Sequence, residues 1–139
     1  IGYQRINVTT NGRMCAYPQY AKKLVQSGLT TLLFSIHGAD ARSHGHQVGV
    51  PEAFEQSMAG IEHCRDAAPL GVELGMNVTV TKGNVEALDD IARLAWSQEL
   101  RWLNISSSRR LVAPPIASRQ TPTAPPRSRC NSSTAGAIG

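Results

Sequence analysis

Four short runs of the chain alternate apolar and polar residues, and each run lies beside a stretch with the apolar spacing of a helix. The runs span residues 6–11, 32–37, 76–81 and 102–106. Strands that alternate with helices indicate a parallel sheet, whose strands are normally apolar on both faces because both faces are buried. In these runs only one set of alternate positions is consistently apolar. The pattern therefore predicts a sheet with helices on one face and a mostly polar opposite face.

The second set of alternate positions gives this sheet the character of a barrel wall that faces a polar ligand. Its members are Asn7, Thr9, Asn11, Leu33, Ser35, His37, Asn77, Thr79, Thr81, Trp102, Asn104 and Ser106. A complete barrel of eight strand and helix pairs needs about 250 residues, and the chain has 139. We therefore expect an α/β fold: a partial TIM-type (β/α) barrel of about four parallel strands with helices on the outer face. Right-handed crossovers place the strands in chain order, with their C-terminal ends at one rim.

Residues 107–139 differ in composition from the rest of the chain. They hold five of the eight prolines, six serines and five arginines, and they contain no aromatic or acidic residue. Such a segment cannot bury enough apolar area to offset the entropy lost on ordering, so we expect a disordered tail after a domain at residues 1–106. The abrupt change resembles out-of-frame translation of GC-rich DNA. A plain linker and a basic arm that binds nucleic acid are the alternatives.

The positive charge of the chain belongs to this tail. The net charge is +4, of which residues 107–139 carry +5; nine Lys and Arg against ten Asp and Glu leave residues 1–106 at −1. No run approaches the ~18 apolar residues of a membrane span, and no charged leader precedes an apolar segment. We therefore expect a soluble, cytoplasmic protein. Because the chain starts at Ile1 and enters a strand at once, we also expect its N-terminal end to be cut.

Three helices are predicted between the strands. The first begins at Pro18, and the second begins near Pro51 and carries an apolar stripe of Phe54, Met58, Ile61 and Cys64. The third is capped by Asn84 and buries Leu88, Ile91, Ala92 and Ala95. The segment after the second strand is predicted to be a polar loop containing Asp40, Arg42, His44 and His46.

Neither the cysteines nor the histidines form a convincing metal site. Cys15, Cys64 and Cys130 are odd in number and lack a Cys-x-x-Cys spacing, so we expect ordinary thiols. His44 and His46 could pair on a metal, but two ligands without a nearby carboxylate or cysteine make a poor site. We therefore expect no metal site made within this chain, and we expect His63 to be solvated.

Several motifs occur in a definite order. They are Thr10-Asn11-Gly12 at the end of the first strand, Ser35-Ile36-His37-Gly38 at the end of the second, the helix from Phe54 to Ile61, and the run from Asn77 to Asn84. This ordered set, over about residues 5–106, resembles the middle and later part of the radical S-adenosylmethionine (radical SAM) enzyme domain.

The resemblance implies a partial barrel of six parallel strands, of which the four here would be the third to sixth. It also implies two cofactors, S-adenosylmethionine and a 4Fe-4S cluster held by three cysteines, which together generate a 5′-deoxyadenosyl radical. The three-cysteine motif would lie upstream of Ile1, and Cys15, Cys64 and Cys130 do not match it. The chain would then be an enzyme fragment that is inactive alone. The family further implies a reductant such as flavodoxin or ferredoxin, and the substrate stays open among small molecules, peptides and RNA.

The same resemblance implies that the chain holds the far side of the S-adenosylmethionine pocket. Ser35 matches a position where the family often places a polar group near the ribose or the methionine carboxylate, and Asn77 projects to the same side. Asn11 and Asn104 are weaker cofactor-binding candidates of the same parity. Each residue has a structural alternative: Ser35 and Asn77 as hydrogen-bond partners of neighbouring strands, and Asn11 as a turn residue.

His37 is the candidate catalytic residue. It shares the parity of Ser35 at the predicted rim, where an imidazole could hold substrate or move a proton. A hydrogen-bonded structural histidine is the alternative.

Two other functions are compatible with the pattern. An aldolase or isomerase barrel would need a lysine or paired carboxylates on the polar face. A nucleic-acid binder acting through the arginine tail would need basic residues on the folded part, which is net negative.

Overall fold

The structure is a computed structural model that describes residues 2–107. The predicted tail, apart from its first residue Ser107, lies outside the described residues, and so does Cys130. Ser107 itself ends the last strand, one residue beyond the predicted boundary.

Four parallel strands form an open sheet in the order in which they occur in the chain. They are β1 (Asn7–Thr10), β2 (Thr31–Ser35), β3 (Glu73–Val80) and β4 (Trp102–Ser107). Every neighbouring pair is parallel. The predicted α/β class and the chain-order arrangement of four parallel strands are therefore confirmed. Within residues 2–107 the sheet does not close, so the described part is not a barrel.

Four helices connect the strands. They are α1 (Pro18–Val25), α2 (Ala41–Val48), α3 (Ala53–Ala67) and α4 (Leu88–Ser97), with short 3-10 turns at Arg13–Ala16 and Val85–Ala87. Pro18 occupies the first position of α1, where its missing N–H costs no helical hydrogen bond. None of the described helices is long and apolar enough to cross a membrane.

The core lies between the helices and the predicted apolar face of the sheet. The strand residues Leu32, Phe34, Met76 and Val78 are fully buried, as is Ile36 directly after β2. The helices add Ala21, Val25, Ile61, Cys64, Ile91 and Ala95 to the same cluster. The apolar parity of the central strands thus faces the helices, as predicted. The opposite parity has no helical cover among the described residues.

Helix α2 replaces the polar loop predicted after β2, so that prediction is wrong. The Asp40 side chain accepts a hydrogen bond from the Ser43 N–H, and the Ser43 Oγ accepts one from the Asp40 backbone N–H. Gly49 ends the helix in the left-handed conformation, which glycine adopts without a Cβ penalty. With only His44 and Gly45 buried, α2 has no apolar stripe that a sequence pattern would reveal.

The third predicted helix begins later than expected and buries a slightly different face. A 3-10 turn follows Asn84, and α4 begins at Leu88. Ile91 and Ala95 are buried as predicted, whereas Ala92 is exposed and Leu94 packs against the core in its place.

Helix α3 approaches the turn after β1 very closely at Gly60. A Cβ at this position would lie 2.5 Å from the Gly12 carbonyl oxygen and 2.9 Å from the Cys15 Cβ. The close approach seats Cys15 fully buried in the core, beside the helix that carries Cys64. Backbone atoms cannot rotate away as a flexible side chain can, so the site is specific for glycine.

We expect Gly60→Ala to destabilise the chain by about 2 kcal/mol, because overpacking against backbone outweighs the ~1 kcal/mol that alanine gains in a helix. Urea unfolding measures this free energy. Glu62→Ala, at an exposed position of the same helix, is the control and should change it by less than about 0.5 kcal/mol. A Gly60→Ala protein more stable than the parent would contradict this packing.

Candidate functional site

The uncovered face of the sheet carries polar side chains in rows that cross the strands. In the parallel register, Ser35 of β2 pairs with Asn77 of β3, and Asn77 pairs with Asn104 of β4. Residues in register lie on the same face of a sheet, so these three form one row. Asn104 Nδ2 donates a hydrogen bond to Asn77 Oδ1 over 2.7 Å. The row brings together three of the four predicted cofactor-binding residues.

Exposure increases along this row from the centre of the sheet to its edge. Ser35 and Asn77 are half-buried and Asn104 is exposed. Since Asn77 Oδ1 accepts from Asn104, the Asn77 amide is oriented with its Nδ2 donors on the other side. We refer to Ser35, Asn77 and Asn104 as the polar row.

Asn11 serves the turn that follows β1. Its Oδ1 accepts a hydrogen bond from the Arg13 N–H over 3.2 Å, and its backbone carbonyl accepts from the buried Ser57 hydroxyl over 2.8 Å. These contacts match the turn alternative considered for Asn11. A role in shaping a cofactor pocket stays a prediction.

A small apolar patch lies on the same face, nearer the N-terminal ends of the strands. Leu33 and Trp102 flank Gly75, where an added Cβ would lie 2.7 Å from Leu33 Cδ2 and 2.8 Å from Trp102 Cβ. The Trp102 indole donates to Glu73 Oε2 over 2.7 Å. A shallow recess of about 240 Å³ adjoins these residues. Glu73 places a carboxylate on this face, at a position outside the alternating run at residues 76–81 from which the polar face was predicted.

Asn84 ties together the C-terminal ends of β2 and β3. It is 3% exposed, and its Nδ2 donates to the backbone carbonyls of His37 (3.0 Å) and Thr79 (3.1 Å). Its Oδ1 accepts from the Thr81 N–H over 2.8 Å. One amide side chain therefore satisfies three backbone groups where the strands diverge. The prediction that Asn84 caps the next helix is wrong, since its side chain makes no cap bond there.

Two histidines complete this connection. The His37 Nδ1 accepts a hydrogen bond from the Thr79 N–H over 3.2 Å, and the His44 Nδ1 accepts from the His37 N–H over 3.0 Å. The two rings are stacked, with centroids 6.1 Å apart and planes 29° from parallel. We call His37, His44, Thr79 and Asn84 the rim network.

Burial lowers the pKa of both histidines from the ordinary value of 6.5. For His44 the proximity of His37 lowers the pKa further, and the carboxylate of Glu55 opposes this by a smaller amount. Two facing imidazoles with little solvent disfavour a positive charge on either ring. The rim network is therefore built on neutral histidines.

The remaining candidate ligands do not gather around a metal. Among residues 2–107, no group of three His, Cys, Asp or Glu side chains is placed to hold an ion. His44 is buried against His37 and Phe54, whereas His46 is exposed. His63, predicted to be solvated, is half-buried, and its Nδ1 lies 3.2 Å from the Cys15 carbonyl oxygen.

We expect Asn84→Asp to destabilise the chain by about 3 kcal/mol, because a carboxylate oxygen would face two backbone carbonyls where an amide now donates to them. Thermal unfolding at pH 7 measures the loss. Asn7→Asp, the same change at an exposed position of β1, is the matched control. Equal unfolding of the two variants would show that Asn84 does not hold the strand ends.

We also expect stability to fall as the pH decreases below about 6.5. The folded histidines have lowered pKa values, so the unfolded chain binds more protons in this range and acid favours unfolding. Unfolding of the parent chain between pH 5 and pH 8 measures the slope. The double variant His37→Asn/His44→Asn should show a shallower dependence, whereas His46→Asn should keep the parental one. An identical slope in the double variant would contradict this origin.

The sequence is similar to part of three known enzymes, and no family model matches it. It is 42% identical over 90 residues to the AdoMet-dependent heme synthase of Nitratidesulfovibrio vulgaris. The match covers 65% of this chain and 23% of the relative. The sequence is 37% identical over 91 residues to the protein of the same name from Methanosarcina barkeri, covering 66% and 25%. The match to the Oleidesulfovibrio alaskensis protein of that name is 42% over 76 residues.

The chain thus spans about a quarter of the length of the curated relatives that it matches. The identity extends over about two thirds of this chain, far beyond any single motif. The resemblance predicted from the ordered motifs is therefore confirmed: the chain is homologous to a segment of radical SAM enzymes.

Proposed function

We propose that the chain is part of a radical SAM enzyme and that the uncovered face of its sheet forms one wall of the S-adenosylmethionine pocket. The observation that carries this proposal is the polar row, which crosses the uncovered face of a chain that is 42% identical over 90 residues to an AdoMet-dependent heme synthase. In this proposal the four strands belong to a partial barrel, and the described residues are its far side. The chain alone would be inactive.

The chemistry of the polar row suits the polar half of S-adenosylmethionine. The Ser35 hydroxyl both donates and accepts hydrogen bonds. The Asn77 Oδ1 already accepts from Asn104, so the group that Asn77 offers to a ligand is its Nδ2 donor. Ribose hydroxyls and the methionine carboxylate are hydrogen-bonding groups that complement such donors. The role of these residues is to bind and orient the cofactor.

The described cysteines do not fit an iron-sulfur cluster. Cys15 and Cys64 are fully buried neighbours on the helix side of the sheet. The neighbouring Cys15, and then burial, raise the pKa of the Cys64 thiol, whereas Cys64 lowers the pKa of Cys15. Cluster ligands must be thiolates, so Cys64 at least is unsuited to that role. The 4Fe-4S cluster of the proposed enzyme would therefore need ligands other than these two.

The name of the relatives suggests the substrate class, and the family resemblance suggests the electron donor. Their name indicates heme synthesis, so we propose that the complete enzyme acts on a heme precursor. A flavodoxin or ferredoxin would supply the electron that cleaves S-adenosylmethionine.

A chimera tests the proposal. The 90-residue segment of the Nitratidesulfovibrio vulgaris relative that matches this chain is replaced by the corresponding residues of this chain. Formation of 5′-deoxyadenosine from S-adenosylmethionine is measured with a chemical reductant. We expect the chimera to produce 5′-deoxyadenosine. Asn77→Ala should raise its KM for S-adenosylmethionine about tenfold, the effect of one lost hydrogen bond to a polar ligand.

Asn7→Ala is the matched control, because Asn7 is an exposed asparagine on β1, in register with Thr31 and thus four positions along β2 from the polar row. Cluster content, followed by visible absorption, separates a folding failure from a binding failure. A chimera that holds its cluster but binds S-adenosylmethionine equally well with Asn77→Ala and Asn7→Ala would refute the assignment of the wall.

A further inference from the structure

The two ring nitrogens of His37 have different tasks. Nδ1 accepts a hydrogen bond from the Thr79 N–H, so it carries no proton. A neutral imidazole has one N–H, which must then be on Nε2. The position of the proton follows from a backbone group that cannot change its role, because a peptide N–H only donates.

His44 fixes the same residue from its backbone side. Its Nδ1 accepts the His37 N–H over 3.0 Å, and the Asn84 Nδ2 donates to the His37 carbonyl over 3.0 Å. His37 is therefore held at its ring, its N–H and its carbonyl. His44 is 2% exposed and packs against Phe54 of α3, so it cannot itself reach a ligand on the uncovered face.

We propose that His37 is presented as a neutral imidazole whose Nε2–H donates a hydrogen bond to an acceptor oxygen of the bound ligand, and that His44 is a positioning residue acting through His37. The identity of the ligand rests on the proposed function, whereas the proton position and the role of His44 do not. Ser35 precedes His37 by two residues in the strand direction, so the donor extends the polar row toward the rim.

This arrangement excludes two other roles for His37 in the network described. A general base or a metal ligand must offer a free lone pair on Nε2, and the proton would then move to Nδ1. There it would face the Thr79 N–H, so that two donors would oppose each other. The oxygen bound by His37 is therefore an acceptor, such as a carboxylate or ribose hydroxyl oxygen.

The first test measures the proton position in the full 139-residue chain. Nitrogen-15 NMR of the imidazoles at pH 7.5 should show Nδ1 of His37 unprotonated and Nε2 protonated. His44→Leu should make the His37 amide exchange with solvent about fivefold faster, and it should allow both His37 tautomers because the released ring can turn away from the Thr79 N–H. His44→Asn, whose Oδ1 can replace Nδ1 as acceptor, should restore both properties. A proton on Nδ1 of His37 in the parent chain, or equal effects of Leu and Asn, would overturn the proposal.

The second test separates the two nitrogens with S-adenosylmethionine as the probe, followed by NMR titration of the same chain. His37→Asn keeps an acceptor for Thr79 but has no group at the Nε2 position, so it should fold normally and bind about tenfold more weakly. His37→Gln can place an N–H near the Nε2 position, so it should bind better than His37→Asn while its Thr79 amide exchanges faster than in the parent. His46→Asn is the control for histidine loss.

The outcomes distinguish this inference from the proposed function. If S-adenosylmethionine shifts the signals of Ser35 and Asn77 and His37→Asn binds as tightly as the parent, the Nε2 donor is refuted and the proposed function stands. If the parent chain and the chimera both fail to respond to S-adenosylmethionine, the proposed function fails and the ligand assigned to His37 fails with it. The role of His44 is then decided by the tautomer measurement alone.

Discussion

Helices cover one face of the parallel sheet and leave the other uncovered, and the rest of the described structure depends on this constraint. On β2 and β3 the apolar residues Leu32, Phe34, Met76 and Val78 are removed from water by the helices. Burial of such side chains contributes about 1.5 to 3 kcal/mol each, which is enough to fix the register of a strand. Because side chains alternate along a strand, the same register presents Ser35 and Asn77 on the uncovered face. The core thus determines the geometry of the candidate site without contacting it.

The rim network provides hydrogen-bond partners for backbone groups at the C-terminal ends of β2 and β3. The pairing of β2 with β3 ends at Ser35 and Asn77. Beyond these residues the backbone groups of the two segments no longer bond each other in a regular ladder. Side chains supply the missing partners: His37 for the Thr79 N–H, and Asn84 for the carbonyls of His37 and Thr79. Buried backbone groups without partners would cost about 1 to 3 kcal/mol each. The same bonds hold the residues nearest the proposed ligand, so stability and site geometry have a common origin.

The parts of the fold that could be predicted are those with a periodic apolar signal. The four strands, the C-terminal half of the α3 stripe (Ile61 and Cys64) and the buried positions Ile91 and Ala95 of α4 repeat with the period of their element, and the structure confirms them. In the first half of α3 the structure buries Ala53, Ser57 and Gly60, whereas Phe54 and Met58 of the predicted stripe are only half-buried. Helix α2 was missed because its stability comes from the Asp40 and Ser43 cap rather than from an apolar stripe. The role of Asn84 was missed because an Asn after a turn is equally typical of a helix cap. Its true partners are separated from it by up to 47 residues.

The sequence by itself determined the class of the fold, the order of the strands and the side of the sheet on which Ser35, Asn77 and Asn104 lie. It also contained the ordered motifs from which the family resemblance was predicted, and the relatives confirm that resemblance. Only the tertiary structure decided which partners the candidate site residues bind. Asn104 bonds Asn77, Asn11 accepts a hydrogen bond within its turn, and the His37 Nδ1 accepts one from the backbone of β3. The physical reason is that alternation is a local property of a strand, fixed by two dihedral angles per residue. Hydrogen-bond partners depend on how distant segments are brought together, and no local pattern encodes that.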